Sequence, residues 1–83
     1  MVALVTGASR GIGRACAIKL AECGYDVAVN YNSNEAKAAE VVAEIEKLGR
    51  KAVAYKADTA DLKAVQSMFR EIQKEFGQLD VLV

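Results

Sequence analysis

The sequence of 83 residues has no histidine, tryptophan or proline, and only two cysteines, Cys16 and Cys23. The two cysteines fall in one segment of helical pattern, where a spacing of seven residues separates α-carbons by about 10 Å, too far for a disulfide. They lack the spacing of metal ligands and have no histidine to complete a site. We therefore expect no metal site and interpret both cysteines as small buried hydrophobic residues.

Neither charge sign is in excess, because 11 Lys and Arg residues balance 11 Asp and Glu residues. This balance gives no reason to expect nucleic acid or an anionic membrane as a partner. Long hydrophobic runs are also absent, since Met1–Val5 is too short for a signal peptide or a membrane span. A hydrophobic fraction of 53% is typical of a packed soluble domain, and we expect a cytoplasmic protein.

Short apolar runs alternate with longer segments of helical period. The predicted strands are Val2–Val5, Asp26–Tyr31, Ala52–Lys56 and Asp80–Val83. Between them, hydrophobic residues recur every three or four positions, which predicts three amphipathic helices. The predicted buried faces are Ile12, Cys16, Leu20 and Cys23 in the first helix, Ala38, Val42, Ile45 and Leu48 in the second, and Leu62, Val65, Phe69, Ile72 and Phe76 in the third.

Glycines and short polar residues mark the ends of these helices. Each predicted helix is followed by a glycine of the kind that ends helices, at Gly24, Gly49 and Gly77. Ser33 or Asn34 is expected to cap the second helix. Thr59 or Asp61 is expected to cap the third, because alanine occupies position 60.

The order β-α-β-α-β-α-β predicts an α/β fold with a parallel sheet and right-handed crossovers. The first two strands are apolar on both faces, as in strands that helices cover on both sides. We predict the N-terminal half of a Rossmann-type doubly wound sheet, with strand order 3-2-1-4. Residues 1–83 are then the N-terminal half of a single nucleotide-binding domain that stops before its catalytic segment.

A glycine-rich turn, Gly7-Ala8-Ser9-Arg10-Gly11-Ile12-Gly13, follows the first strand and opens the first helix. Backbone amides and the helix dipole at this place form an anion site suited to a pyrophosphate. We expect Gly7 to permit the tight turn, Gly11 to allow the ligand close to the backbone, and Gly13 to let the helix pack on the sheet. A P-loop is excluded because no Gly-Lys-Ser/Thr follows.

The end of the second strand favours NADP(H) over NAD(H). NAD sites usually have Asp or Glu there to bind the ribose 2′-hydroxyl, whereas this chain has Asn30-Tyr31-Asn32-Ser33. Arg10 either binds the 2′-phosphate or is a solvated surface charge, and Asn32 either contacts the phosphate or belongs simply to the loop. Asp58 and Thr59 end the third strand on the same side, where they either line an adenine pocket or start the next helix.

The stretch Thr6–Gly13 resembles the cofactor fingerprint of the short-chain dehydrogenase/reductase family. The resemblance continues through Val27–Tyr31, Lys56–Asp58 and Phe76–Val83, and so covers the whole chain. Within the family, the segment is most similar to the 3-oxoacyl-[acyl-carrier-protein] reductases, although acetoacetyl-CoA reductases and sugar or alcohol dehydrogenases look alike here. By position, the resemblance implies that NADP is contacted by Gly7, Ser9, Arg10, Ile12, Asn32, Asp58 and Thr59.

The same resemblance implies that the catalytic Asn, Ser, Tyr and Lys of the family follow Val83, so we expect no catalytic residue in this chain. Tyr31 and Tyr55 are not candidates, because neither has a lysine four residues later. The implied parent is a homo-oligomeric reductase that uses NADPH to convert 3-oxoacyl thioesters of acyl carrier protein or CoA into 3-hydroxyacyl thioesters. A non-catalytic nucleotide-binding or partner-binding module of 83 residues is the alternative.

Overall fold

The computed structural model describes all of residues 1–83, which form four strands and three helices. In chain order these are β1 (Val2–Val5), α1 (Gly11–Glu22), β2 (Asp26–Tyr31), α2 (Glu35–Lys47), β3 (Ala52–Lys56), α3 (Leu62–Phe76) and β4 (Val81–Leu82). The first three strands have the predicted bounds. The fourth is shorter, but its flanks are also held to β1, because Asp80 N–H and Val83 N–H donate to Val2 and Leu4 carbonyls at 2.8 and 2.9 Å.

All strand pairs are parallel, and the order β3-β2-β1-β4 confirms the prediction. Val5 of β1 pairs with Val29 of β2, and Val29 pairs with Ala54 of β3. The carboxyl ends of these strands therefore meet at one edge of the sheet. The chain reverses its strand order between β1 and β4, which is where doubly wound sheets bind ligands.

The sheet separates two hydrophobic clusters, one on each face. The first cluster joins β1 and β2 to α1 and α2 and includes Val5, Val27, Val29, Ala17, Ala21, Ala38, Val41 and Ile45. The second joins the sheet to α3 and consists of Leu4, Ala28, Tyr55, Ala57, Met68 and Ile72. Successive residues of β1 and β2 thus enter opposite clusters, which explains why both strands are apolar throughout.

The buried face of α1 differs from the predicted one. Ala17 and Ala21 are buried, whereas Ile12 is 85% exposed and Cys23 is also exposed. Cys16 is only half-buried, so the interpretation of both cysteines as buried residues is wrong. Small side chains let the helix lie close to the sheet, while Ile12 belongs to the first helical turn and Cys23 follows the last helical residue.

The predicted faces of α2 and α3 are correct in part, because Ala38, Ile45 and Ile72 are buried as predicted. Val41 of α2 is also fully buried, whereas Leu48, which follows the helix, is 44% exposed. In α3, Met68 is buried together with Ile72, while Leu62 and Phe69 are 69% and 36% exposed. Residues that follow one another at intervals of four share a stripe, and Met68 and Ile72 form the centre of that stripe.

Side chains cap two of the helices, and the structure decides between the predicted alternatives. Asn34 Oδ1 accepts a hydrogen bond from Lys37 N–H at 3.0 Å at the start of α2. Asp61 Oδ1 accepts from Lys63 and Ala64 N–H at 3.0 and 3.3 Å at the start of α3. Asn34 and Asp61 are therefore the caps, and each satisfies amides that the helix leaves without partners.

The outer faces of the helices are charged. Lys19 pairs with Glu22 at 3.8 Å in α1, and Lys47 pairs with Glu44 at 3.7 Å in α2, both between exposed side chains. Such surface pairs contribute little to stability. None of the helices combines the length and the apolar character needed to cross a lipid bilayer.

Candidate functional site

The glycine turn starts from a fixed point between the two central strands. Thr6 directly follows β1, and both its backbone N–H and its Oγ1 hydroxyl donate to the carbonyl oxygen of Val83, each at 2.9 Å. These bonds tie the beginning of the turn to the residue that follows β4. The turn therefore lies at the edge where the strand order reverses.

The amides of the turn fall into two groups. Gly7 N–H donates to Asn30 Oδ1 at 3.1 Å, and Ala8 N–H donates to the Asn30 carbonyl oxygen at 2.9 Å. None of the amides from Ser9 to Gly13 donates to an acceptor in the protein. Because these amides include the first turn of α1, they carry the partial positive charge of a helix N-terminus. This arrangement suits an anionic ligand.

Two of the glycines are required for different reasons. Gly11 has a backbone φ of 63°, which favours glycine, and a β-carbon there would meet no atom of the chain within 4 Å. At Gly13 a β-carbon would overlap the carbonyl oxygen of Gly7 and lie 2.9 Å from its carbon. The closest contact of Gly13 is therefore with the turn, and its absent side chain lets α1 approach Gly7 and Ala8.

A polar cleft of about 280 Å³ opens beside the turn. Its lining contains no hydrophobic residue and consists of Gly7, Ser9, Arg10, Asn32, Ser33 and Asn34. The cleft thus brings together residues before α1 and residues after β2. Arg10 is its one charged residue, is exposed, and makes no ion pair with a carboxylate of the chain.

Ala8 and Ile12 contribute to the turn in different ways. The Ala8 side chain is fully buried in the cluster beneath α1 and α2, so this residue offers a ligand only its backbone. The side chain of Ile12 is exposed, and its backbone N–H is one of the amides without an acceptor. Ile12 therefore contributes no hydrophobic packing within this chain and leaves its amide available to a ligand.

Asp58 and Thr59 do not line this cleft. They are exposed and follow Ala57 at the carboxyl end of β3, one strand beyond β2. Asp58 Oδ1 accepts a hydrogen bond from Ala60 N–H at 2.9 Å, and its carbonyl oxygen accepts from Asp61 N–H at 2.9 Å. The local role that the sequence allowed for Asp58 is thus present, and its Oδ2 makes no bond within the chain.

Asn30 is a residue that sequence reasoning missed as part of the site. Its side chain is 2% exposed, and it lies in β2 among buried hydrophobic residues. The carboxamide oxygen binds Gly7, while Nδ2 donates to the carbonyl oxygens of Ala57 at 3.1 Å and Tyr55 at 3.4 Å. A polar residue within an apolar strand was the available signal.

A larger and more open groove of about 410 Å³ lies elsewhere, between β3 and α3. Its lining comprises Val53, Tyr55, Glu71, Lys74 and Glu75. Burial raises the pKa of the Tyr55 hydroxyl, and the nearby carboxylates of Glu75 and Glu71 raise it further. No glycine-turn residue lines this groove, and no group of three His, Cys, Asp or Glu side chains that suits a metal ion exists in the chain.

Comparison with protein families and curated proteins gives a consistent result. The family model described as short chain dehydrogenase matches residues 1–83. A 3-oxoacyl-[acyl-carrier-protein] reductase of Staphylococcus aureus is 54% identical over 81 residues, which are 98% of this chain and 33% of that protein. A hydroxynaphthalene reductase-like protein of Metarhizium guizhouense is 54% identical over 82 residues, 99% of this chain and 31% of that protein.

Solved structures show the same similarity. A short chain dehydrogenase from Burkholderia cenocepacia in complex with NADP superposes with a TM-score of 0.93 at 51% identity, over 96% of this chain and 33% of that one. An acetoin dehydrogenase from Enterobacter cloacae gives a TM-score of 0.91 at 39% identity, over 98% of this chain and 33% of that one. The chain spans about a third of the length of the relatives it matches.

Proposed function

This chain belongs to the short-chain dehydrogenase family, and we propose that it is the NADPH-binding part of an oxidoreductase of that family. The row of unpaired amides from Ser9 to Gly13, next to a cleft whose one charged residue is Arg10, carries the proposal. The solved relative from Burkholderia cenocepacia, which is a complex with NADP, supports the choice of dinucleotide.

The residues of the site fit the parts of this dinucleotide. The amides of Gly11, Ile12 and Gly13, together with the N-terminus of α1, would hold the pyrophosphate. Arg10 would bind the 2′-phosphate as a charged donor, with Ser9 and Asn32 lining the same cleft. No carboxylate lines the cleft, so no negative charge there repels the 2′-phosphate.

The adenine would lie towards the end of β3. Asp58 keeps one carboxylate oxygen, Oδ2, without a partner in the chain, and this oxygen is able to accept a hydrogen bond from an exocyclic amino group. Thr59 is adjacent and exposed. The Asp58 Oδ1 bond to Ala60 N–H fixes the orientation of the carboxylate for that contact.

The bound dinucleotide supplies a hydride, and the proposed parent enzyme delivers it with a proton to the ketone of a 3-oxoacyl thioester, giving a 3-hydroxyacyl thioester. The 54% identity to the staphylococcal 3-oxoacyl-[acyl-carrier-protein] reductase supports this substrate class. We place the catalytic residues in a segment that follows residue 83, in a cytoplasmic homo-oligomer. Within this chain the residues bind and orient the cofactor.

A second substrate class is supported by an equal identity. The hydroxynaphthalene reductase-like protein is also 54% identical, so the cofactor-binding part alone does not separate hydroxynaphthalenes from acyl thioesters as substrates. Purified full-length gene product assayed with NADPH on a 3-oxoacyl thioester and on a hydroxynaphthalene distinguishes the two. Binding of NADPH without turnover of any carbonyl compound would favour the non-catalytic module.

The NADPH proposal is tested by changing Arg10 to alanine in the full-length gene product. Loss of a charged hydrogen-bond donor from the 2′-phosphate is expected to raise the Kd for NADPH about tenfold to a hundredfold. The Kd for NADH, which has no such phosphate, is expected to change less than about twofold. Arg14→Ala is the matched control, because Arg14 is exposed in the first part of α1, four residues after Arg10, but does not line the cleft. Equal losses for both dinucleotides would contradict the proposal.

A further inference from the structure

The side chain of Asn30 is a buried polar group whose hydrogen bonds are directional. It is 2% exposed, and a carboxamide at that depth needs partners for both its oxygen and its nitrogen. Nδ2 donates to the carbonyl oxygens of Ala57 and Tyr55 and lies 3.5 Å from Met68 Sδ. These acceptors belong to the end of β3 and to α3, so they fix the nitrogen side of the carboxamide on the sheet.

The opposite side of the carboxamide holds the glycine turn. Because two carbonyl oxygens fix Nδ2, Oδ1 must face Gly7 N–H. Oδ1 accepts a hydrogen bond from that group at 3.1 Å. The Asn30 backbone carbonyl accepts from Ala8 N–H at 2.9 Å, and this bond is available to any residue at position 30. The side chain therefore adds the bond to Gly7, the first glycine of the turn.

Together these bonds divide the amides of the turn. Asn30 takes up the N–H groups of Gly7 and Ala8, and the amides from Ser9 to Gly13 stay available. A turn that is fixed at its first residue presents the later amides in one arrangement. Preorganised donors bind an anion more strongly than mobile ones, because the ordering cost has already been met in the fold.

We propose that Asn30 is a positioning residue, whose carboxamide locks the glycine turn in the conformation that binds the pyrophosphate of the dinucleotide. This inference rests on the proposed function, since it assigns the turn to the pyrophosphate of NADPH. Asn30 itself touches no part of the cofactor. It acts through Gly7, across 23 positions of the sequence.

The test compares two ligands that differ in the pyrophosphate. Asn30→Leu keeps the branched shape of the side chain but removes its donors and its acceptor. In the full-length gene product, this change is expected to raise the Kd for NADPH about tenfold, the effect of losing one well-placed hydrogen bond. The Kd for adenosine 2′-monophosphate, which lacks a pyrophosphate, is expected to change less than about twofold.

Val27→Ala is the matched control for a general loss of stability. Val27 is fully buried in the same strand, at the end away from the turn, and its truncation is expected to lower the melting temperature without changing either Kd. The proposal fails if Asn30→Leu leaves NADPH binding intact, or if it weakens both ligands equally. Wild-type protein that binds no NADPH would instead overturn the proposed function.

A second measurement needs no variant and covers the case in which Asn30→Leu does not fold. Hydrogen exchange of the wild-type protein without cofactor is expected to be at least about tenfold slower at Gly7 N–H than at Gly11 N–H, because only the former is bonded. Added NADPH is expected to slow exchange at Gly11 and leave Gly7 nearly unchanged. Equally fast exchange at the two amides without cofactor would contradict the proposal that Asn30 holds the glycine turn in place.

Discussion

The α-carbon of Gly13 faces the carbonyl group of Gly7 so closely that a β-carbon at position 13 would lie 2.9 Å from the carbonyl carbon. The first turn of α1 is thus in direct backbone contact with the first residues of the glycine turn, which follow β1. No side chain fits between them, because the atoms a substituent would meet are backbone rather than flexible side chain. The close approach brings the amides of the helix N-terminus next to the glycine turn.

Gly13→Ala is expected to cost about 3 kcal/mol of unfolding free energy, because the turn or the helix must move to admit the methyl group. Gly11→Ala is the matched comparison. It has open space around the α-carbon but a left-handed backbone, so its expected cost is about 1 kcal/mol. Urea unfolding of the full-length gene product without cofactor measures both. An equal cost for the two variants would contradict the packing of Gly13 against Gly7.

Asp26 is expected to make stability depend on acid pH. Lys51 N–H donates to Asp26 Oδ1 at 2.9 Å and holds the pKa of that carboxyl below its usual value of 3.8, and the Arg50 guanidinium at 3.0 Å lowers it further. A pKa that is lower in the folded state stabilises the fold above the unfolded pKa. That stability is lost as the pH falls through the folded pKa.

The measurement is chemical unfolding of wild type and Asp26→Asn at pH 7 and at pH values below 4. The variant is expected to be less stable by about 1 kcal/mol at pH 7, and the difference should shrink towards the lowest pH. Glu22→Gln, which removes an exposed partner of Lys19, serves as the control and should give a difference near zero throughout. A difference between Asp26→Asn and wild type that grows on acidification would show that the pKa shift has the opposite sign.

Tyr55→Phe is expected to leave stability unchanged or to raise it by up to about 1 kcal/mol. The buried Tyr55 hydroxyl has no hydrogen-bond partner in the chain, so its removal breaks no bond and relieves a desolvated polar atom. Burial and the carboxylates of Glu75 and Glu71 raise its pKa, so wild type should also lose stability relative to the variant above about pH 10.

Thermal unfolding at pH 7 and at about pH 10.5 measures both effects. Tyr31→Phe is the comparison, because Tyr31 is also buried but belongs to the hydrophobic cluster on the other face of the sheet. A clear destabilisation of Tyr55→Phe at pH 7 would mean that the hydroxyl has a partner after all.

The strands and the turn were predictable because their signals are local. The β-branched runs of β1 and β2 and the glycines at positions 7, 11 and 13 each specify a conformation within a few residues. The alternation of strands and helices and the handedness of crossovers predict a parallel sheet, and the observed order β3-β2-β1-β4 is the one typical of doubly wound sheets that bind dinucleotides. The fold class and the position of the glycine turn therefore followed from sequence.

The complete buried faces of the helices and the role of Asn30 were not predictable in the same way. Residues spaced by three and four fit several neighbouring stripes of a helix, so the spacing predicts Phe69 as buried where Met68 is. Which stripe faces the sheet depends on packing against strands distant in sequence. Likewise, the bond from Gly7 to Asn30 joins the first β-α turn to the second strand, and only the assembled sheet brings them together.

The most direct test of NADPH binding at the glycine turn is a crystal structure of the full-length gene product with NADPH. The expected result places pyrophosphate oxygens within hydrogen-bond distance of backbone amides between Ser9 and Gly13, with the 2′-phosphate at the Arg10 guanidinium. The expected structure also retains the Gly7 bond to Asn30 Oδ1. A dinucleotide bound away from these amides, or one whose 2′-phosphate does not contact Arg10, would contradict the proposed site.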